Sequence, residues 1–230
     1  IQFIVDPNED VYVIEVNPRS SRTVPFLSKA TGYSLADIAT LVILGKSLKE
    51  QGFTTLYPKE KEKWYVKAPA FSFSKLRGLD AYLSPEMKST GEAIGYDKTL
   101  TRALFKAMKA AGMSVANYGT IFVSIADKEK EAAVPLIRRF YELGFNIEAT
   151  KGTADCLKSH GIRTRIRQKI SDGSEEILDS LRRGYVTYVI STRDINSVDE
   201  ESDGYLIRRC AAENNVTMFT ALETVRVLLN

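Results

Sequence analysis

In the second half of the chain, short apolar runs alternate with segments whose apolar residues recur at helical spacing. The runs at 119–125 and 185–190 are rich in β-branched and aromatic residues, which favours strands. Between 132 and 143, apolar residues recur every three or four positions, which predicts a helix that Asp127 caps and Gly144 ends. The pattern as a whole predicts strands at 119–125, 145–149, 162–168, 185–190 and 216–219, and further helices at 153–160, 175–183, 202–214 and 221–229.

This alternation of strands and helices is typical of an α/β fold. We expect a doubly wound, five-stranded parallel sheet with helices on both faces. Right-handed crossovers then bring the loops at the carboxyl ends of the strands to one edge, where ligands bind in such folds.

The first half of the chain has a less regular pattern. Residues 3–5 and 11–16 are predicted to form a hairpin, and Ser34 is expected to open a helix that runs to about Gln51. Residues 52–92 show no sustained period, whereas Asp97 is expected to cap a helix that ends near Ala111. Residues 112–118 are expected to link two parts of the chain, 1–117 and 118–230.

Composition narrows the class of protein. The chain has 230 residues, 44% of them apolar and 27% charged, which is typical of a folded globular protein. The net charge of +3 gives no reason to expect nucleic-acid binding, and no apolar run reaches the ~18 residues of a membrane span.

Two cysteines without a CxxC spacing predict free thiols in the cytoplasm. The single histidine, His160, is expected at the surface and leaves little room for a zinc site. The start resembles the middle of a strand, so we expect the chain to be part of a longer polypeptide.

The end of the predicted hairpin carries one candidate site. Glu15 and Asn17 are two residues apart and are expected on the same face, where their oxygens suit a Mg²⁺ ion that carries a nucleotide phosphate. Arg19 can neutralise phosphate oxygens, and Gln2 on the paired strand can supply a further oxygen. The alternative is that these residues form an ordinary solvent-exposed face of a hairpin.

A second candidate site lies between a predicted strand and helix, in the segment Thr150-Lys151-Gly152-Thr153. Two hydroxyls and a glycine at a helix N-terminus suit an anion, although an ordinary helix cap has the same residues. Other hydroxyls and cations are expected at the same edge of the sheet, namely Ser124, Lys128, Lys169, Ser191, Thr192 and Arg193. The alternating Arg163, Arg165 and Arg167 are expected to face solvent or carboxylates rather than nucleic acid.

Two blocks of sequence resemble a known family. Residues 14–32, beginning Ile-Glu-Val-Asn-Pro-Arg, closely resemble the end of the second ATP-grasp half of carbamoyl-phosphate synthase large subunits. Residues 84–92 are similar to the segment that closes that half. Residues 119–230, with Ala-Thr-Lys-Gly-Thr at 149–153, resemble the methylglyoxal-synthase-like regulatory domain of the same subunits.

The resemblance implies roles for particular residues in the ATP-grasp part. Gln2, Glu15 and Asn17 match metal ligands for Mg²⁺ or Mn²⁺, and Arg19 matches a catalytic contact to nucleotide or phosphate. The family phosphorylates carbamate with a second ATP, receives ammonia from a glutaminase small subunit, and supplies pyrimidine or arginine synthesis. Because most of the ATP-grasp domain is absent, the chain alone is expected to make no carbamoyl phosphate.

In the regulatory part, the resemblance implies an effector nucleotide. Its phosphate and ribose are expected to contact Ser124, Lys128, Thr150, Thr153 and Lys169, with UMP as the usual inhibitor and IMP or phosphoribosyl pyrophosphate as activators. Ser191, Thr192 and Arg193 replace Asn-Thr-Thr of some members; Thr220 is retained, but Met218 replaces a tyrosine of members that respond to ornithine. Self-association is also expected. The alternative is a stand-alone phosphate-eliminating lyase of the methylglyoxal synthase kind, but no catalytic base is evident near Thr150–Thr153.

Overall fold

A computed structural model describes residues 1–55, 61–72, 87–192 and 202–230. Strands in these ranges are β1 (Gln2–Val5), β2 (Val11–Glu15), β3 (Trp64–Ala70), β4 (Gly91–Asp97), β5 (Thr120–Ser124), β6 (Asn146–Thr150), β7 (Arg165–Arg167), β8 (Tyr188–Ser191) and β9 (Thr217–Phe219). The α-helices are α1 (Thr23–Thr31), α2 (Leu35–Ile43), α3 (Leu100–Ala110), α4 (Lys130–Glu142), α5 (Lys151–Ser159), α6 (Glu176–Arg182), α7 (Asp203–Glu213) and α8 (Leu222–Leu229). No helix among the described residues is long and apolar enough to span a membrane.

The second half of the chain forms the predicted parallel sheet. Its strand order is β7-β6-β5-β8-β9, and every neighbouring pair is parallel. Alternate residues of β5 enter two separate cores: Ile121 and Val123 pack with α4, α5 and α8, whereas Phe122 packs with α6 and α7. Helices therefore cover both faces, and the doubly wound α/β fold is confirmed.

Two details of this sheet differ from the expectation. The third strand is shorter than 162–168, because Ile162 is buried against the end of α5 and only Arg165–Arg167 pairs with β6. Asp127 does not cap α4: it begins a single 3₁₀ turn, Asp127–Glu129, and its carboxylate pairs with Lys130.

Ahead of this sheet, α3 packs on an antiparallel hairpin made of β3 and β4. Gly95 in β4 lies against the helix backbone, since a Cβ built there would be 2.1 Å from the Ala103 carbonyl oxygen. The predicted helix at 97–111 begins later, with Thr99 at its N-cap; Asp97 ends β4 and forms a 2.7 Å ion pair with Lys106.

The predicted linker at 112–118 is attached to the sheet. The Tyr188 hydroxyl donates to the Ala116 carbonyl at 2.7 Å and accepts from the Ala116 amide at 2.6 Å. Thr217 makes the same pair of contacts with Ser114, at 3.0 and 3.1 Å. Burial raises the pKa of Tyr188, which keeps its hydroxyl protonated as a donor. These contacts hold the segment against β8 and β9.

The first hairpin, β1 and β2, pairs as predicted but buries little. Apolar side chains on both of its faces are exposed, among them Phe3, Ile4, Val13 and Ile14. After it, α1 was not predicted at all, and α2 ends at Ile43 rather than near Gln51, because the chain turns at Gly45 with φ +91°.

Candidate anion site at the carboxyl edge of the sheet

A cavity of about 510 Å³ lies at the carboxyl ends of β5, β6 and β7. The residues that line it come from the ends of these strands and from the first turns of the helices that follow: Ser124, Ile125, Asp127, Lys130, Thr150, Gly152, Thr153, Lys169, Ser171, Ser202, Asp203 and Gly204. Two helices, α5 and α7, begin at this cavity. Their free amides and their dipoles favour a negatively charged ligand.

Thr153, in the first turn of α5, has a buried hydroxyl group that can form one further hydrogen bond. Its oxygen accepts a hydrogen bond from the Ile125 amide at 3.1 Å and another from the Thr150 hydroxyl at 3.4 Å. A hydroxyl has two acceptor lone pairs and one donor hydrogen. Since these two bonds use both lone pairs, Thr153 can offer a ligand only its hydrogen. Its natural partner is an acceptor such as a phosphate oxygen.

Two lysines supply positive charge to the cavity. Lys169 follows β7, and Lys130 reaches over the start of α5, where a Cβ on Gly152 would be 2.9 Å from the Lys130 ammonium nitrogen. Gly152 therefore leaves room for Lys130. The ammonium pairs with Asp127 at 2.5 Å, and this hydrogen bond lowers the pKa of Asp127, so the carboxylate is ionised at neutral pH.

The start of α7 forms one wall of the cavity. The sequence had not predicted a role for these residues. The Asp203 carboxylate accepts from the amide and hydroxyl of Ser171 at 2.8 and 3.2 Å. Ser202 caps the helix by accepting from the Tyr205 amide. Beside Gly204 lies the guanidinium of Arg208, a buried cation with 3% exposure. A sequence signal was present, because a helix that follows β8 must begin at this edge.

The structure brings together five of the residues predicted from sequence. These are Ser124, Thr150, Gly152, Thr153 and Lys169. Lys151 and Lys128 are exposed and do not line the cavity, whereas Lys130, two residues after Lys128, does. The 3₁₀ turn that precedes α4 causes this difference, since it sets which side chain of the first turn faces the cavity.

Three further predicted effector contacts, Ser191, Thr192 and Thr220, do not line this cavity. Ser191 is fully buried and Thr192 nearly so; Thr192 accepts from the Ala126 amide at 3.0 Å and so holds the loop after β5. Thr220 lines a different cavity, of about 420 Å³, between the β3–α3 unit and β9. Arg193 lies outside the described residues.

The hairpin candidates lie together at one end of β1 and β2. Gln2 is opposite Glu15 in the register, and the Asn17 side-chain amide donates to Glu15 at 2.8 Å. The Asn17 carbonyl oxygen thus remains available beside the carboxylate, which suits a hard cation such as Mg²⁺. Arg19 is exposed and donates to the Ser20 carbonyl at 3.3 Å. Oxygen ligands of this kind suit Mg²⁺ or Mn²⁺, and the metal expected there stays a prediction.

The alternating arginines of β7 face a carboxylate, as expected. Arg167 forms two parallel hydrogen bonds with Glu148 on β6, at 2.7 and 2.8 Å, and Arg165 approaches the same carboxylate at 3.9 Å. The Glu148 hydrogen bonds raise the pKa of Arg167. The paired residues Glu148 and Arg167 each lie two residues before a residue that lines the cavity, Thr150 and Lys169 respectively.

Two family models match the chain. Residues 1–51 match the model "Carbamoyl-phosphate synthase L chain, ATP binding domain", and residues 132–220 match the model "MGS-like domain". Both matches fit the C-terminal region of a carbamoyl-phosphate synthase large subunit, and the first relates the chain to an ATP-binding ligase. Among solved structures, a methylglyoxal synthase from Elizabethkingia anophelis NUHP1 is similar at 18% identity and a TM-score of 0.43, over 50% of this chain and 80% of that one.

Proposed function

We propose that residues 118–230 form a regulatory domain that binds the phosphate of an effector nucleotide in the cavity at the carboxyl edge of the sheet. The observation that carries this proposal is the donor-only hydroxyl of Thr153 at the start of α5, with Lys130 and Lys169 in the same cavity. Helix amides, a hydroxyl donor and two ammonium groups form a complementary set for a phosphate dianion.

The acidic residues of the cavity favour a nucleotide over free phosphate. Asp203 already accepts two hydrogen bonds from Ser171, and its carboxylate can accept further bonds from ribose hydroxyls. A cavity of about 510 Å³ is in the range of small-molecule sites. UMP is the effector we propose first, with IMP and phosphoribosyl pyrophosphate as the other candidates.

For residues 1–117 we propose a place in the carbamate-phosphorylating ATP-grasp domain of a cytoplasmic carbamoyl-phosphate synthase large subunit with a glutaminase partner. The support comes from Glu15 and Asn17, which are joined by a hydrogen bond from the Asn17 side-chain amide to the Glu15 carboxylate. Their oxygens, together with that of Gln2 opposite Glu15, would hold Mg²⁺ or Mn²⁺. The hairpin's exposed apolar faces are available to pack against other elements of such a domain.

The acidic residues of the cavity are already engaged in ion pairs or hydrogen bonds, which favours ligand binding over phosphate elimination as the function. Elimination needs a general base and an acid within reach of the substrate. Asp127 is paired with Lys130, and Asp203 is bonded to Ser171. His160 ends α5, seven residues after Thr153 and thus about 10 Å further along the helix axis.

Calorimetric titration of the chain with UMP tests the proposal, with IMP titrated in parallel. Thr153→Val removes the donor and is expected to weaken binding at least about tenfold, or roughly 1.4 kcal/mol. Thr153→Ser keeps the hydroxyl and is expected to bind almost normally. Lys169→Ala is expected to weaken binding comparably, whereas Lys128→Ala, outside the cavity, is expected to have little effect.

Two outcomes would contradict the proposed phosphate site. If no nucleotide gives heat with the folded chain, or if Lys128→Ala weakens binding as much as Lys169→Ala, the phosphate site is not the one described. Release of phosphate from dihydroxyacetone phosphate by the chain would instead support the lyase.

A further inference from the structure

Three chemically different metal ligands meet between α4 and α5, outside the lining of the anion cavity. They are Glu131 in the first turn of α4, Cys156 in α5 and His160 at the end of α5. One ligand atom from each lies within 4.8 Å of the other two. The Cys156 sulfur is 3.7 Å from Glu131 Oε1, and His160 Nε2 is 3.4 Å from Glu131 Oε2.

The fold holds the cysteine and histidine in a fixed relation. They are four residues apart on one helix, so their side chains lie on the same face, one turn apart. His160 Nδ1 is 2.9 Å from the Cys156 carbonyl oxygen, a contact in which Nδ1–H donates. That bond leaves the lone pair on Nε2, the atom that faces Glu131. Histidines that bind metals are usually oriented by such a bond from the other ring nitrogen.

The distances suit a tetrahedral ion. Zinc binds histidine nitrogen and carboxylate oxygen at about 2.0–2.1 Å and thiolate at about 2.3 Å. Tetrahedral angles then place nitrogen and oxygen about 3.3 Å apart, and sulfur and oxygen about 3.6 Å apart. The observed separations of 3.4 and 3.7 Å are close to these values. The two distances run to different oxygens of Glu131, so this exposed side chain has to turn until one oxygen serves both contacts.

We propose that Glu131, Cys156 and His160 form a binding site for one divalent transition-metal ion of the zinc class, with water as the fourth ligand. Thiolate and imidazole favour zinc over Mg²⁺ or Ca²⁺, which take oxygen ligands. Binding displaces the thiol proton of Cys156, which leaves to solvent. The sequence alone argued against zinc because it has a single histidine; the third ligand becomes evident only when α4 packs beside α5.

Such an ion would cross-link the first turn of α4 to α5. Glu131 follows Lys130, the lysine that reaches over Gly152 into the anion cavity. The metal therefore stabilises the helix pair from which the cavity's lysine and hydroxyl project. The inference itself does not depend on the proposed nucleotide, since none of its three ligands lines that cavity.

Titration of the full chain with Co²⁺, and then with Zn²⁺ in competition with a chromophoric chelator, tests the site. We expect one ion per chain, a thiolate-to-cobalt charge-transfer band in the near ultraviolet, and a higher melting temperature with Zn²⁺. In Cys156→Ser the band is expected to vanish and zinc affinity to fall at least about tenfold. His160→Gln is expected to weaken zinc binding similarly.

The second thiol provides the control, because Cys210 is buried in the other core. Cys210→Ser is expected to keep both the band and the stoichiometry. Glu131→Gln, at an exposed position, tests the third ligand without a risk to folding. Absence of the cobalt band in the folded wild-type chain, or zinc affinity unchanged in both Cys156→Ser and His160→Gln, would overturn the proposal.

Discussion

Gly95→Ala is expected to separate α3 from the β3–β4 hairpin. A Cβ at this position would lie 2.1 Å from the Ala103 carbonyl oxygen and 2.3 Å from the Ala107 amide nitrogen, both backbone atoms of α3. No side-chain rotation relieves such a contact, so the helix must move. Overpacking of this kind costs about 3 kcal/mol at the upper end of the usual range. Urea unfolding followed by Trp64 fluorescence measures the loss, because Trp64 is the single tryptophan and pairs with Asp97 beside α3.

Gly91→Ala in the same strand is the matched control. Among the described residues, its added Cβ would meet the Ala70 side chain alone, at 3.8 Å, which is an ordinary contact. We expect its unfolding midpoint to stay within about 0.5 kcal/mol of the wild type. Equal midpoints for the two variants would mean that α3 does not pack on Gly95 as described.

The parallel sheet could be predicted because its central strands are buried on both faces. Residues 121–123 and 188–190 are apolar without interruption and almost fully buried, so their sequence differs clearly from the helices around them. Helices such as α4 have the three-to-four spacing of a single buried face. In this half of the chain, the sequence pattern and the burial in the folded structure therefore indicate the same strands and helices.

The first half lacks that agreement. Strand β3 contains Pro69, and its partner among the described strands is β4, more than 20 residues later, so nothing in its own sequence specifies the partner. Helix α1 has no fully buried residue. A helix without a buried face needs no regular apolar spacing, so its sequence does not reveal it. Asp97 and Thr99 are both good caps by composition, and the end of β4 decides between them.

The residues that the strand ends contribute to the anion site could be predicted from the sequence, but those at the starts of the helices could not. Ser124, Thr150 and Lys169 follow directly from strand ends that share one edge. The choice of Lys130 over Lys128 depends on a three-residue 3₁₀ turn, whose rotation per residue differs from that of an α-helix. Asp203 comes from α7, 34 residues beyond Lys169, and reaches the cavity only through the crossover after β8.

Arg167→Leu is expected to destabilise the domain and to weaken nucleotide binding together. The Arg167 and Glu148 side chains are only 14% and 11% exposed. The change therefore leaves a largely buried carboxylate whose remaining ion pair, within the described part of the chain, is with Arg165 at 3.9 Å. Removing one partner of a buried pair costs about 3 kcal/mol or more. Lys169 lies two residues further along and should lose its fixed position as β7 loosens. Urea unfolding and UMP titration measure the two effects.

The double variant Glu148→Leu/Arg167→Leu separates charge from packing. If the loss in Arg167→Leu comes from the unpaired carboxylate, removal of that carboxylate should recover most of the stability, because buried ion pairs contribute little net free energy compared with apolar replacements. Nucleotide affinity should recover with it, since β7 is again held to β6 and Lys169 returns to the cavity. A double variant less stable than Arg167→Leu would instead mean that the two hydrogen bonds at 2.7 and 2.8 Å hold the edge strand in place.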